Sequence, residues 1–159
     1  MDNTTIRIRP YKPSDFEQVI KLFQEAVKAI NIRHYSPEQI TMWTMVDSKQ
    51  HHRWQQSLQE NICFVATIDS TIIGFADMSH EGYLDRLYVH KDYQARFVAY
   101  KLFKRIEQAA RSLGLTKITT HCSITAKVPA ERMGFKVIKE QTVTKNGVEF
   151  INYIMEKIL

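Results

Sequence analysis

Between Ile62 and Val89 the chain reads as three short apolar runs broken by polar turns. Ile62–Ile68 and Ile72–Met78 flank Asp69-Ser70-Thr71 and read as a hairpin. His80-Glu81-Gly82 turns the chain again into Tyr83–Val89, a third strand. This meander sits between segments of helical period, so the chain must fold as strands with helices laid against them. Before it, Ile6-Arg7-Ile8-Arg9 alternates as a short strand that Pro10 and Pro13 end. Ser14-Asp15-Phe16-Glu17 has the form of a capping box. Phe16, Val19, Ile20, Phe23, Val27 and Ile30 then share one face of a helix over 15–30. Pro37 suits the first position of a second helix, where its missing N–H costs nothing, with Ile40 and Trp43 on one face. Asp47 or Ser48 would cap a third, running to about Gln59.

After Tyr93 the helical period returns, with Val98, Leu102, Ile106, Ala109 and Leu113 in one stripe and Gly114 as its stop. Residues 117–121 are strand-like, and 125–133 a short helix despite Pro129. Residues 135–144 and 148–157 flank Asn146-Gly147, a strong hairpin signal. The order predicts one α+β domain over 1–159, a mixed, mostly antiparallel sheet of six or seven strands with helices on both faces. A chain of 159 residues suffices for such a core.

Several function classes fall away. No run approaches the ~20 apolar residues of a membrane span. Met1-Asp2-Asn3-Thr4-Thr5 lacks the apolar stretch of a secretory leader. The expectation is a cytoplasmic protein with no membrane partner. The +5 net charge is spread along the chain without a nucleic-acid-binding motif, so no nucleic-acid partner is expected. Cys63 and Cys122 fit no CxxC pattern and read as two buried free thiols. His51-His52 point about 100° apart on a helix and chelate poorly, so no metal is expected.

The segment from Leu87 to Tyr100 concentrates the chemistry. It is a strand, a polar loop and a helix start, and a helix start offers unpaired N–H groups to an anion. Leu87-Tyr88-Val89-His90 with Asp92-Tyr93-Gln94 resembles the cofactor motif of the GNAT N-acetyltransferase superfamily, whose loop has the form [Arg/Gln]-x-x-Gly-x-[Gly/Ala]. The element order, Arg132-Met133-Gly134-Phe135 and Met155-Glu156-Lys157 extend the resemblance over nearly the whole chain. His34-Tyr35-Ser36-Pro37-Glu38-Gln39 with Trp43 is similar to an uncharacterised bacterial subgroup.

The resemblance implies an acetyl-CoA-dependent N-acetyltransferase that moves an acetyl group directly to a primary amine of a small molecule or a protein. It implies cofactor contacts from Leu87, Tyr88, Val89, Gln94, Ala95, Arg96, Phe97, Val98, Ala99, Tyr100, Ser123 and Thr125. Asp85 and Glu81 are the general-base candidates, and Tyr83 the acid candidate. His34, Tyr35, Trp43 and Met45 are expected on the acceptor side. Two positions depart from the family pattern. Phe97 stands where the central Gly belongs, and Pro129-Ala130 replace an aromatic pair whose Tyr serves as general acid. A second reading follows from those departures: a binding or interaction module of the same fold without turnover. An exposed C-terminal strand would offer a route to a homodimer.

Overall fold

The computed structural model describes residues 5–159. Met1–Thr4, read above for a leader, lie outside the described residues. Seven strands form one sheet: β1 (Ile6–Pro10), β2 (Ile62–Ile68), β3 (Thr71–Met78), β4 (Tyr83–Val89), β5 (Lys117–Ser123), β6 (Lys136–Lys145) and β7 (Val148–Ile158). Their spatial order is β1-β2-β3-β4-β5-β7-β6, and every pair is antiparallel except β4 with β5. The helices are α1 (Phe16–Ala29), α2 (Pro37–Thr44), α3 (Ser48–Glu60), α4 (Val98–Ser112) and α5 (Lys127–Arg132). This is the α+β architecture expected from the element order.

The strands bury both faces. Phe64, Ala66, Ile73 and Met78 pack with Leu102 and Ile106 of α4 on one side. Val65 and Phe75 pack with Val19, Phe23 and Val27 of α1 on the other. Helices therefore cover both faces, as the two stripes predicted. Cys63 and Cys122 are buried free thiols, one in each core.

Local signals hold with two corrections. Ser36 and Asp47 cap α2 and α3, each accepting from an N–H three residues on. The turn before α1 is built on Asp15 instead of Ser14. The Asp15 carboxylate accepts the Lys12 N–H at 2.8 Å and both Arg9 guanidinium nitrogens at 2.8 and 2.9 Å. A carboxylate holds a cation and an amide together better than a hydroxyl does, and it wins this turn. Pro129 is the third residue of α5, so it removes no helical bond. Asn146 and Gly147 both take positive φ, 50° and 77°, as a tight hairpin turn requires.

The second correction concerns the sheet edge. The C-terminal strand β7 is interior, paired with β5 on one side and β6 on the other. The edges are β1 and β6. The expected route to a homodimer through a C-terminal edge is thus absent. β6, largely exposed, has a register slip between Val137 and Lys139 that breaks its flat edge.

The parallel contact of β4 with β5 is short. Only Tyr83–Thr119 and Leu84–Thr120 are in register, after which the strands separate. Gly82 sits at the closed end of this fork with φ +95°, its carbonyl accepting the Thr119 N–H at 2.9 Å. A Cβ there would lie 2.9 Å from the Lys117 carbonyl oxygen. Gly82→Ala should therefore destabilise the protein by about 2–3 kcal/mol, combining overpacking with left-handed strain, as a lowered urea midpoint would record.

Candidate functional site

Beyond Leu84 and Thr120 the facing edges of β4 and β5 no longer pair. Thr120 Oγ1 donates to the Leu84 carbonyl at 2.8 Å and caps the last shared rung. The gap opens into a cleft of about 910 Å³ that passes through the sheet, lined by residues of both cores such as Phe103 and Met133 on one side and Phe23 and Trp43 on the other. Unpaired backbone along both walls makes this a place where a ligand can complete the sheet.

The loop after β4 is shaped by its own side chains. Gln94 Nε2 donates to the Val89 carbonyl at 2.8 Å, tying the loop back to the strand end. Ala95 and Phe97 take φ of 62° and 61°. Phe97 holds the left-handed conformation that glycine adopts freely, and its ring is 75% exposed, outside the cleft. Ordinary dihedrals are thus not what keeps the ring clear; the left-handed turn itself projects it to solvent. The first helical bond of α4 runs from Lys101 N to the Phe97 carbonyl at 3.0 Å. Among the described residues the N–H groups of Phe97, Val98, Ala99 and Tyr100 have no acceptor, an arrangement open to an anion.

Side chains and backbone divide the remaining cofactor-contact candidates. Gln94 and Ala99 line the cleft, whereas the side chains of Ala95, Arg96, Phe97, Val98 and Tyr100 do not. Val98 is buried under the sheet, Tyr100 faces solvent, and Arg96 lies over the Tyr93 ring at 5.5 Å. Leu87 and Val89 turn toward the α4 core, and Tyr88 packs against Phe23 and Phe75. These three can offer backbone to the cleft. Ser123 and Thr125 line the opposite wall. Ser123 Oγ accepts the Ala126 N–H at 3.1 Å, and Thr125 Oγ1 meets His34 Nδ1 at 2.9 Å.

A register slip between Asp77 and Met78 places Asp85 as an extra residue in β4, opposite no partner in β3. Such a bulge re-aims a side chain, and Asp85 turns into the cleft. Its side chain is 39% accessible through the opening, yet protein on most sides displaces bulk solvent and pushes its carboxyl above the ordinary range. Arg86 lies 3.3 Å from Asp85 but is chiefly committed elsewhere. Its guanidinium grips the fully buried Asp77 through Nε at 2.9 Å and Nη2 at 2.6 Å, donates to Ser57 Oγ at 2.7 Å, and stacks 4.4 Å over Trp54. Asn61 adds a donor to Asp77 at 2.9 Å. The pair braces the base of β4 behind Asp85.

Tyr83 joins Asp85 in the cleft, its phenol pushed up to about 12 by burial and then by the Asp85 charge. Glu81 is exposed on the turn and does not line the cleft; the bulge delivers the carboxylate of Asp85, three residues past Gly82, instead. His34 also falls outside the lining, held against Thr125. Tyr35, Trp43 and Met45 do line the acceptor side. Tyr35 is mainly a tie, donating to the Ile151 carbonyl at 2.8 Å and accepting the Ile124 N–H at 2.9 Å. Pro129 and Ala130 line the cleft with apolar atoms only, so no hydroxyl stands where the family pattern has its acid.

Sequence reasoning missed His121, which meets the Tyr83 ring edge at 5.3 Å from across the split. It missed Asp77 with Arg86 as well. Neither carries a local motif, since each depends on strand register.

The fold and its split place the protein in the N-acetyltransferase class of structures. A crystal structure described as "GCN5-Related N-acetyltransferase: Aminotransferase, Class-II" from Rhodopseudomonas palustris superposes with a TM-score of 0.92 and 28% identity, covering 100% of this chain and 99% of that one. The PaiA N-acetyltransferase of Thermoplasma acidophilum, solved in complex with coenzyme A, shares the fold at TM-score 0.79 and 23% identity, covering 98% of this chain and 99% of that one. Residues 31–157 match the acetyltransferase (GNAT) domain family, to which the chain belongs. It is also 37% identical over 150 residues to the uncharacterized N-acetyltransferase YafP of Escherichia coli (strain K12), covering 94% of each.

The left-handed Phe97 makes a checkable claim. Phe97→Gly should raise stability by roughly 0.5–1 kcal/mol, the strain relieved less the added freedom of the unfolded chain. A lowered urea midpoint would contradict the geometry described for this loop.

Proposed function

We propose that this protein is an acetyl-CoA-dependent N-acetyltransferase that acetylates a primary amine by direct transfer. The observation that carries the reading is the pairing of two unmet backbone surfaces. The acceptor-free amides of Phe97–Tyr100 suit a diphosphate, and the unpaired β4 and β5 edges suit the amide-bearing arm that leads from it. Phe97 leaves that mouth clear because its ring points to solvent. Related structures add support: PaiA was solved with coenzyme A, and YncA of Salmonella typhimurium with acetyl-CoA.

Acetyl-CoA supplies a thioester whose carbonyl carbon the amine attacks, the C–N bond forming as the C–S bond breaks. An amine with an ordinary pKa near 10.4 must first shed a proton. Asp85 receives it, directly or through a cleft water. Desolvation holds the Asp85 pKa above the ordinary carboxylate range, which makes it a better base for this purpose than an exposed carboxylate. Tyr83 keeps its proton at neutral pH and can donate a hydrogen bond beside Asp85. The departing thiolate has a pKa near 8.5 and leaves tolerably without an acid, so the loss of the hydroxyl at Pro129-Ala130 is compatible with turnover. The reading as a module without turnover rests on that loss and on Phe97, and the exposed ring weakens the second ground.

Asp85→Asn decides between the two readings. Thiol release from acetyl-CoA with a panel of primary amines should fall by about 10²–10⁴-fold, and the acid limb of the pH–rate profile should disappear. The same substitution should make the protein more stable at neutral pH. A carboxyl whose folded pKa is raised is penalised once it ionises. The penalty is absent below the unfolded pKa near 3.9 and grows as pH rises through the folded one. The melting temperatures of the two proteins should therefore differ at pH 7 and converge near pH 3. Wild-type protein that binds no acetyl-CoA at millimolar concentration would overturn the enzyme reading.

A further inference from the structure

We propose that the acceptor amine carries its own anionic group, a carboxylate or a phosphate, which Arg53 and Lys145 hold at the acceptor end of the cleft. This deepens the acetyltransferase reading and rests on it.

The charge inventory of the cleft points this way. Asp85 is the one carboxylate among its lining residues, against Arg33, Arg53, Arg86 and Lys145. Arg86 is spoken for by Asp77. The side chains of Arg33, Arg53 and Lys145, all exposed at the rim of the cleft, have no ion-pair or hydrogen-bond partner among the described residues. A cleft built for a polycationic acceptor would show the opposite balance, because each unpaired cation would repel it.

Their positions separate them from the diphosphate mouth. Arg53 lies on α3 between the lining residues Gln50 and Trp54, and α3 belongs to the sheet face opposite α4. Lys145 ends β6 at the hairpin turn, beside Val143 and near Phe150 of β7. The hairpin reaches α2, where Gln39 Nε2 donates to the Glu149 carbonyl at 2.7 Å and Trp43 meets the Phe150 ring at 6.2 Å. Lys145 is exposed at the turn, and the protein beside it holds its ammonium below the ordinary value.

The lining also holds one buried polar atom without a partner. Asn152 lines the cleft from β7, and its side-chain oxygen is buried without a donor. An acceptor N–H would satisfy it. Trp43, Met45 and Val46 add apolar surface to the lining. An amine at Asp85, an apolar body, and an anion at Arg53 and Lys145 describe a zwitterionic acceptor.

The test compares amines that differ only in the anion. Phenylalanine against phenethylamine isolates a carboxylate, and O-phosphoethanolamine against ethanolamine a phosphate. Each is titrated into coenzyme-A-saturated protein, with tryptophan fluorescence as the readout, since Trp43 and Trp54 line the cleft. In at least one pair the anionic member should bind about tenfold tighter or more, and the pair that does so identifies the anion. In the double variant Arg53→Gln, Lys145→Met the preference should shrink to about twofold or less, with acetyl-CoA affinity unchanged. Equal or tighter binding of the neutral-tailed member in both pairs, no saturation by either anionic amine at about 10 mM, or a preference that survives the double variant would each overturn the proposal. A protein that fails to bind coenzyme A would instead remove the acetyl-transfer reading, and the same titrations on the unloaded protein would still decide the anion claim.

Discussion

The shortness of the β4–β5 contact governs this molecule. Two strands that could run side by side for seven residues share two rungs and then part. The closed end is fixed by backbone: Gly82 accepts from Thr119, and Thr120 donates to Leu84 through its hydroxyl. The open end leaves main-chain groups facing one another without partners, a costly arrangement unless something fills the gap. Everything functional is arranged around it. The α4 amides stand at one mouth, Asp85 projects from the wall, and the β6–β7 hairpin closes over the far side.

The split is expensive to hold rigid, and the buried Asp77–Arg86 pair does part of that work. A fully buried carboxylate needs every lone pair engaged. Asp77 has Arg86 twice and Asn61 once, and Arg86 has Ser57 and the Trp54 face besides. The pair ties β3, β4 and α3 together directly behind the bulge that exposes Asp85. One carboxylate in β3 is thus fully partnered while another, a few ångströms along the fork, is left half-open and desolvated. Their different environments give two residues of the same type opposite uses.

The elements that depend on local pattern were legible in the sequence. The meander, the α1 and α4 stripes and the Asn146-Gly147 turn all stand where their spacing put them, within a residue or two at most ends. What was not legible is non-local. The place of β7 between β5 and β6 follows from pairing choices that no local spacing encodes. His121 reaches Tyr83 only because of the parallel register. Asp85 enters the cleft, and Glu81 does not, because of a one-residue bulge. At Asp15 a carboxylate outcompeted the serine of a plausible cap, through an arginine six residues back. Phe97 is the instructive case. Residue type argued against a glycine-like turn, yet the backbone adopts one and discards the ring to solvent.

The interior position of β7 has a consequence for how the chain is assembled on the ribosome. Its eleven residues follow every other described strand in the chain, and among the described residues they supply the only sheet partner of β6 and the second neighbour of β5. Until they emerge, the nascent chain can complete the β1–β4 half with its helices, but β6 has no strand to join. The final insertion is a zippering of one segment between two neighbours already made, and without it β5 and β6 would each keep an unsatisfied edge.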